Sequence, residues 1–443
     1  MIEQLPQSVA EFSDHMAGHA AAHSARLHSA LPDHLAGQVT ETTRAIRDTL
    51  GVSETDTVVV FGEQPYGPGW QKVLGKRVLA RAVTRDSGAT TIETMASQDA
   101  VGSEIGLRAC TLPSAQKPDG VLSVRLLPNW KKVSANAAIT VPSPTPEQLQ
   151  TIRQSIGNLY NPGAADDFLD RIETAYTADS DSYGRANTAI LRGYETRLGI
   201  EGDQLVHDGY LDTLIAQKGG LQALLQLWPQ FVRAAANHAT PTVRAPASHE
   251  APFYLYHDEC GGRMSVATHT DNPSTPTMET PLAACCLQCA HTETIAPADI
   301  VAQGRTLTFR AMARVAAYSL FRVGDGHITG GGSAYNQPVK AALKQLNLPY
   351  WPIMHMAVVN RQGEPSALFD YQSAATTKRR ASSQPGYTPM VAALQQGNVS
   401  MADLEISTTP AQVRSAIQES LQHPGAFGPH SRINVRQQAG LHG

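Results

Sequence analysis

Over residues 8–50 apolar positions recur at helical spacing, through Val9, Phe12 and Met16, then Leu27, Leu31 and Leu35, then Val39, Ile46 and Leu50. This predicts two or three short helices broken near Pro32. The period then changes. Thr57-Val58-Val59-Val60-Phe61 is an unbroken, mostly β-branched run that stops at Gly62, the form of a strand buried on both faces of a parallel sheet. Helical spacing from Gln71 to Arg81 carries the chain to a second strand, Thr90–Met95, completing a β-α-β unit. Pro142, Pro144 and Pro146 mark a linker; helices are expected over 165–235, most clearly at 185–198 and 219–236, and a second linker over 236–252. After a cysteine-bearing segment the pattern predicts a helix from Leu307 to Ser319, a strand His327-Ile328-Thr329, a helix from Ala334 to Leu346 and an apolar strand from Tyr350 to Val359. Short helices are expected over 388–396 and 409–422.

This order reads as an α/β fold, a parallel sheet core split by a helical insert and a small cysteine-bearing subdomain. Its expected divisions are an N-terminal helical segment (1–50), a first half of the core (51–140), a helical connecting insert (141–250), the small subdomain (251–300), a second half of the core (301–400) and a helical tail (401–443). A length of 443 residues is compatible with about two to four domains of roughly 100–200 residues.

Each half of the core ends a strand in a glycine-rich corner. The first is Gly62-Glu63-Gln64-Pro65-Tyr66-Gly67-Pro68 and the second Gly330-Gly331-Gly332-Ser333-Ala334-Tyr335. Backbone N–H groups left free at the start of the following helix attract phosphate or carboxylate, helped by the helix dipole. Such corners also serve plain close packing, and neither is a phosphate loop of the Gly-Lys-Ser/Thr kind. Together they suggest one nucleotide-type site assembled from distant segments.

Composition narrows the picture. Apolar residues make up 42% and charged residues 17%, as in ordinary globular proteins, and the net charge of −4 gives no general drive toward nucleic acid or acidic membranes. The sequence approaches neither the ~18 consecutive apolar residues of a membrane span nor a basic-then-apolar leader, so a cytoplasmic location is the default expectation. Of five cysteines only Cys110 stands apart from Cys260, Cys285, Cys286 and Cys289; an odd, clustered set favours metal over disulfides. His257-x-x-Cys260 and Cys286-x-x-Cys289 place soft ligands on two turns, with Gly261-Gly262 after the first, and read as a zinc ribbon. One histidine and three cysteines close the shell, which makes the expected zinc structural. Cys285 in place of Cys286, His291 in place of His257, buried free thiols and a redox pair remain open alternatives.

The strand ending in Gly62-Glu63-Gln64, the following Gly67-Pro68 and the helix with Lys76 resemble the Gly-Gln-Gln, Gly-Gly-Pro and Tyr-Lys elements of the cysteine ligase family of bacillithiol synthesis, BshC. Ala96-Ser97-Gln98-Asp99 stands where that family has Ala-Thr/Ser-Glu-Asp-His-Asp, and Ala186–Gly199 is similar to its helix ending in Gly-Leu. Arg310 resembles the arginine of its Leu-Arg-Pro element. Ile328 to Tyr335, followed by Asn347-Leu348-Pro349, is similar to its Val-Gly-Gly-Pro-Gly-Glu-Ile-Ala-Tyr and Gly-Ile-Pro runs. The resemblance implies a Rossmann-like core related to class I aminoacyl-tRNA synthetases and a ligase joining the cysteine carboxyl to the amine of an amino-sugar conjugate. Forming an amide from a free carboxylate implies activation, with ATP and Mg2+ as the expected agents. Lys76, Arg310 and Asp99 are then the expected catalytic residues; Gly62, Gln64, Gly67, Gly330, Gly331, Gly332 and Tyr335 are the expected nucleotide or substrate contacts.

Departures accompany the resemblance. Gln98-Asp99-Ala100-Val101 lacks the family's histidine and one carboxylate, and Gly332-Ser333 lacks the glutamate of the second glycine run. The basic stretch Thr377–Ser383 reads as a mobile loop, and no room remains after Val359 for the family's coiled coil. Two functions are therefore expected: a carbon–nitrogen ligase acting on small molecules, or a catalytically silent relative that binds protein or RNA through its metal subdomain. An oligomer is compatible with either.

Overall fold

The computed structural model describes residues 9–65, 74–102, 107–113, 121–127, 129–157, 166–177, 182–198, 204–238, 245–268, 276–329, 335–360 and 431–435. The N-terminal pattern forms two long helices rather than several short ones, α1 (Val9–Ala30) and α2 (Asp33–Thr49). Pro32, extended at ψ 145°, separates them, because its ring fits the start of a helix and not its interior. β1 (Val58–Glu63), α3 (Leu74–Ser87) and β2 (Thr90–Met95) then form the expected unit, with Val58 opposite Thr90 and Glu63 opposite Met95 in parallel.

An antiparallel hairpin follows, β3 (Ala109–Pro113) and β4 (Val121–Arg125), then helical turns at Trp130–Val133 and Ala138–Thr140. The connecting segment supplies α4 (Pro146–Gly157), α5 (Asp166–Thr177) and α6 (Tyr183–Leu198). It also supplies a strand that the sequence pattern does not announce, β5 (Gln204–His207), which pairs in parallel with β2. α7 (Asp208–Ile215) passes through a π-type turn into α8 (Leu221–Ala236). A second sheet begins with β6 (Glu250–Tyr256), β7 (Arg263–Thr268), β8 (Leu282–Cys286) and β9 (Thr292–Ile295). After α9 (Pro297–Ala302) comes β10 (Leu307–Phe309); these three residues, expected to open a helix, instead form the edge strand of that sheet beside β6. The helix proper is α10 (Ala311–Leu320). The chain then returns to the first sheet through β11 (Gly326–Thr329), α11 (Asn336–Gln345) and β12 (Ile353–Asn360), and β13 (Ser431–Val435) adds an antiparallel edge. The helices expected over 388–396 and 409–422 and the loop Thr377–Ser383 lie outside the described residues.

The first sheet runs β13-β12-β11-β1-β2-β5 and the second β10-β6-β7-β8-β9. Alternate residues of β1 face opposite sides. Val58 and Val60 join a buried cluster with α2, α7, α8 and the second sheet, including Leu211, Trp228, Phe253, Val266 and Phe309. Val59 and Phe61, equally buried, face away from it. On that side Gly326, opposite Val59, lies so close beneath Phe12 and Met16 of α1 that a methyl group would sit 2.5 Å from Met16, and Arg77 of α3 caps the Phe61 ring. The second sheet therefore shares a core with the helices of the first instead of standing on a core of its own.

One buried charged cluster locks the N-terminal helices to the start of β11. Asp325 accepts the Val58 N–H at 3.0 Å and the Arg322 Nε at 2.7 Å, with His19 Nδ1 at 3.5 Å. Burial disfavours its charge, but the bonds from His19 and Arg322 outweigh this and hold the carboxyl below its usual range. Next to it, burial and the neighbouring His19 lower His23 to about 3, with its Nε2 3.1 Å from the Ser319 carbonyl. The unfolded chain thus takes up a proton at His23 below pH 6.5 that the folded chain refuses. This group makes stability fall as pH falls, by about 1.4 kcal/mol per unit, or about 2 kcal/mol between pH 6.5 and 5. His23→Gln, which keeps a donor toward Ser319, is expected to lose correspondingly less stability than wild type in denaturant titrations at pH 7 and pH 5; equal losses would contradict the assignment.

Candidate active cleft and metal centre

Counted in chain order, the parallel strands run 3-2-1-4-5 across the sheet, with β1 between β2 and β11. The connections leaving β1 and β11 depart in opposite directions, and in open α/β sheets the resulting crevice lies at the carboxyl ends of those two strands. Phe61 pairs with Ile328, so Gly62 and Thr329, the residue before Gly330, end side by side. Gly67, Gly330, Gly331 and Gly332 themselves lie outside the described residues. The strands that lead into the two glycine corners, far apart in sequence, thus end side by side.

Several expected site residues meet there. Lys76 of α3 reaches back to the end of β1, its Nζ 2.8 Å from both the Gly62 carbonyl and Glu63 Oε1. The Gln64 amide donates to the Asp99 carboxylate, which joins the end of β1 to the loop after β2. Pro65 accepts the Asn187 amide at 2.9 Å, so α6 of the connecting segment holds the turn after β1. Tyr335 precedes α11 and packs against the core. Arg310 is placed differently. It caps α10, and its guanidinium is spent on the Ala251 carbonyl at 2.7 Å, Tyr254 Oη at 2.8 Å, Ser265 Oγ at 3.2 Å and Glu250 at 3.2 Å. None of the described bonds joins it to Lys76, Gln64 or Asp99.

The loop Ser97-Gln98-Asp99 is fixed by residues that motif reading passes over. Asp208, first in α7, accepts the N–H groups of Gly209 at 2.8 Å and Gln98 at 3.2 Å, and the Ser97 hydroxyl at 3.4 Å. The Gln98 carbonyl accepts Tyr256 Oη at 2.9 Å and Arg263 Nη2 at 2.8 Å. Beneath them Arg314 bridges Asp208 at 2.6 Å and Asp212 at 3.3 Å, and Asp212 also accepts Tyr318 Oη at 2.9 Å and the Phe309 N–H at 2.8 Å. Burial raises Asp208 to about 7, with Arg314 opposing, and raises Asp212 in the same way. At the end of β5, His207 Nδ1 lies 3.0 Å from Ser97 Oγ. The only trace of this network in the sequence is the i, i+4 pair Asp208 and Asp212, which marks one helix face but not its partners.

The second sheet carries the Cys/His cluster at one end. Two turns of the same shape face each other. In the first, Gly261 N–H bonds to the His257 carbonyl and His257 N–H to that of Gly262; in the second, Ala290 N–H bonds to the Cys286 carbonyl and Cys286 N–H to that of His291. Each turn points a backbone N–H at sulfur, Gly262 at Cys260 and Gln288 at Cys286, both at 3.4 Å. Cys260 Sγ lies 3.5 Å from Cys286 Sγ and from Cys289 Sγ, and His257 Nδ1 lies 3.2 Å from Cys260 and 3.4 Å from Cys289. All four donor atoms fall within 4.8 Å of one another and could hold a metal ion. The sulfurs are too far apart for a disulfide of about 2.05 Å. A methyl group at Gly262 would lie 2.7 Å from Cys286 Sγ, so the close approach of the turns requires glycine there. Of the open alternatives, His291 stacks on the His257 ring at 4.4 Å and Cys285 stands exposed outside the cluster.

The cluster and the cleft are physically continuous. Asn136 donates to the Cys260 carbonyl, Thr140 to that of Gly261, and Gln288 to that of Lys132. The same stretch backs the loop after β2 through Val101 N–H to Asn136, Ala138 N–H to Asp99 and Ile139 N–H to Ser97.

No family model matches the chain, and no curated protein matches it. No helix among the described residues is long and apolar enough to cross a membrane. Arg310→Ala would strip the second sheet of a buried charge partner and a ring contact. It is expected to lower unfolding stability by about 3 kcal/mol in denaturant titration, and a loss within about 0.5 kcal/mol would remove its structural role.

Proposed function

We propose that the chain is a Rossmann-like, BshC-like ligase that joins an amino-acid carboxyl, cysteine first among candidates, to the primary amine of a small acceptor such as an amino-sugar conjugate. The observation that carries this reading is that β1 and β11, the strands leading into the two glycine-rich stretches, lie adjacent at the reversal of strand order, with Lys76, Gln64 and Asp99 gathered at the end of β1. Amide formation is uphill from a free carboxylate, so ATP with Mg2+ would activate it, and the reacting groups must be held close. Negative charge developing on the activated acyl group is met by Lys76 and by backbone N–H groups at the start of α11. Glu63 keeps the lysine aimed at the strand end. Arg310, committed to the second sheet, serves this reading as scaffold.

The metal is zinc in this reading. Three thiolates and one imidazole are a zinc donor set, and tetrahedral bonds of about 2.3 Å would put sulfurs about 3.7 Å apart, close to the 3.5 Å found. A closed four-ligand shell makes the ion structural, and its strands would be those of a zinc ribbon. The purified protein is expected to carry one zinc per chain by elemental mass spectrometry. Cys289→Ser would lose it, lower the melting temperature and speed amide hydrogen exchange at Ser97–Val101. A metal-free wild type of undiminished stability would end the zinc assignment.

The catalytic reading is tested by incubating the protein with ATP, Mg2+, a mixture of amino acids and glucosaminyl-malate, and following nucleotides and new amides by mass spectrometry. A new conjugate is expected, and Lys76→Ala should lower its rate by about 10²-fold or more. Complete silence would return the protein to the binding reading, for which the exposed Leu287 at the tip of the second metal turn, 57% accessible, is the contact to replace.

A further inference from the structure

We infer that His207 is the base that deprotonates the amine acceptor, and that the acceptor binds over the β2 and β5 ends of the sheet. This rests on the ligase reading above. An amine reaches the cleft as an ammonium ion and must lose its proton to attack the activated acyl carbon. Among the described residues, His207 is the imidazole at the carboxyl end of the parallel strands, opposite Met95 in register and beside the loop that carries Asp99.

Its hydrogen bonds select the working nitrogen. We assign the single proton of the Ser97 hydroxyl to Asp208, which leaves its oxygen to accept from His207. Nδ1 therefore carries the ring proton, and Nε2 holds the lone pair. No described residue bonds Nε2, which is left free to take a proton. Above about pH 7 Asp208 is ionised and accepts from the N–H groups of Gly209 and Gln98 and from Arg314. Burial, aided by Arg185, lowers the basicity of His207 and keeps the ring neutral near pH 7. Ser97 is thus an orienting hydroxyl, fully buried and unable to act as a nucleophile.

The amine nitrogen bonds to the acyl carbon, whose π pair moves onto its oxygen. That pair then returns and expels the phosphate-type leaving group supplied by the nucleoside triphosphate. The primary ammonium gives one proton to Nε2 before attack, and the nitrogen, made acidic by the new C–N bond, gives a second by the same route; each passes on to solvent. The nucleotide occupies the β1 and β11 side, and the Gln64–Asp99 bond spans from there toward the amine side.

The test compares wild type, His207→Gln and His207→Ala in the amide-forming assay from pH 5.5 to 9, with melting temperatures measured in parallel. Charged neighbours that shape the profile are Asp208, Asp99, Arg185 and Arg314. Wild type should show a rate that rises with pH as the imidazole loses its proton. His207→Gln should melt within a few degrees of wild type, lose about 10²–10³-fold in kcat with little change in KM for the amine, and lack that limb; added imidazole should partly restore His207→Ala. A wild type that forms amide while His207→Gln keeps its rate and pH profile would overturn the base assignment alone. A loss that tracks melting temperature and shows no imidazole rescue would make His207 a packing residue. A wild type that forms no amide overturns the ligase reading and this assignment with it.

Discussion

Arg314, set between Asp208 and Asp212, is the interaction on which the rest of the molecule depends. Burial works against its charge and the two carboxylates more than offset this, holding the guanidinium well above its ordinary range. Its partners head α7 directly after β5, while Arg314 itself sits on α10, which follows β10 of the second sheet. One ion-pair cluster therefore joins the two sheets and, through Asp208, fixes the loop after β2. Burying three charges costs several kcal/mol each, which is offset by the bonds that Asp212 accepts from Tyr318, Thr308 and the Phe309 N–H and that Asp208 accepts from Ser97 and the N–H groups of Gln98 and Gly209.

Much of the local structure was legible in the sequence because it is written in contiguous residues. The β-branched run before Gly62, the helical spacing after it and the strand Thr90–Met95 formed as expected, since each element's burial pattern repeats within a few residues. The Cys/His cluster was legible as well, with His257, Cys260, Cys286 and Cys289 brought together by two turns whose spacing already implied a group able to hold a metal ion. Other elements left no such trace. β5 is four residues long, lies on an edge and sits inside a stretch of helical composition, so only its pairing with β2 makes it a strand. Leu307–Phe309 runs straight into an apolar helix, and nothing local separates strand from helix there until β6 supplies the hydrogen bonds.

Site geometry was less legible than the fold. Gln64 and Asp99 were singled out separately, and their contact emerges only in three dimensions. His207 and Ser97 come from different parts of the chain and meet because β2 and β5 end in register. Arg310 shows the reverse: the resemblance made it an expected catalytic cation, yet the fold surrounds it with acceptors.

The central strand pairing has a consequence for how the molecule comes into being. Val58 and its partner Asp325 are separated by 267 positions, so β1 has one bare edge until the intervening residues have been synthesised. At about 5–20 residues per second, that interval is on the order of tens of seconds. During it β1, β2 and β5 can assemble, but their exposed edge is a template for pairing with another nascent chain. The late arrival of Asp325, which caps the Val58 N–H and draws in α1, is therefore also the event that closes this edge of the sheet.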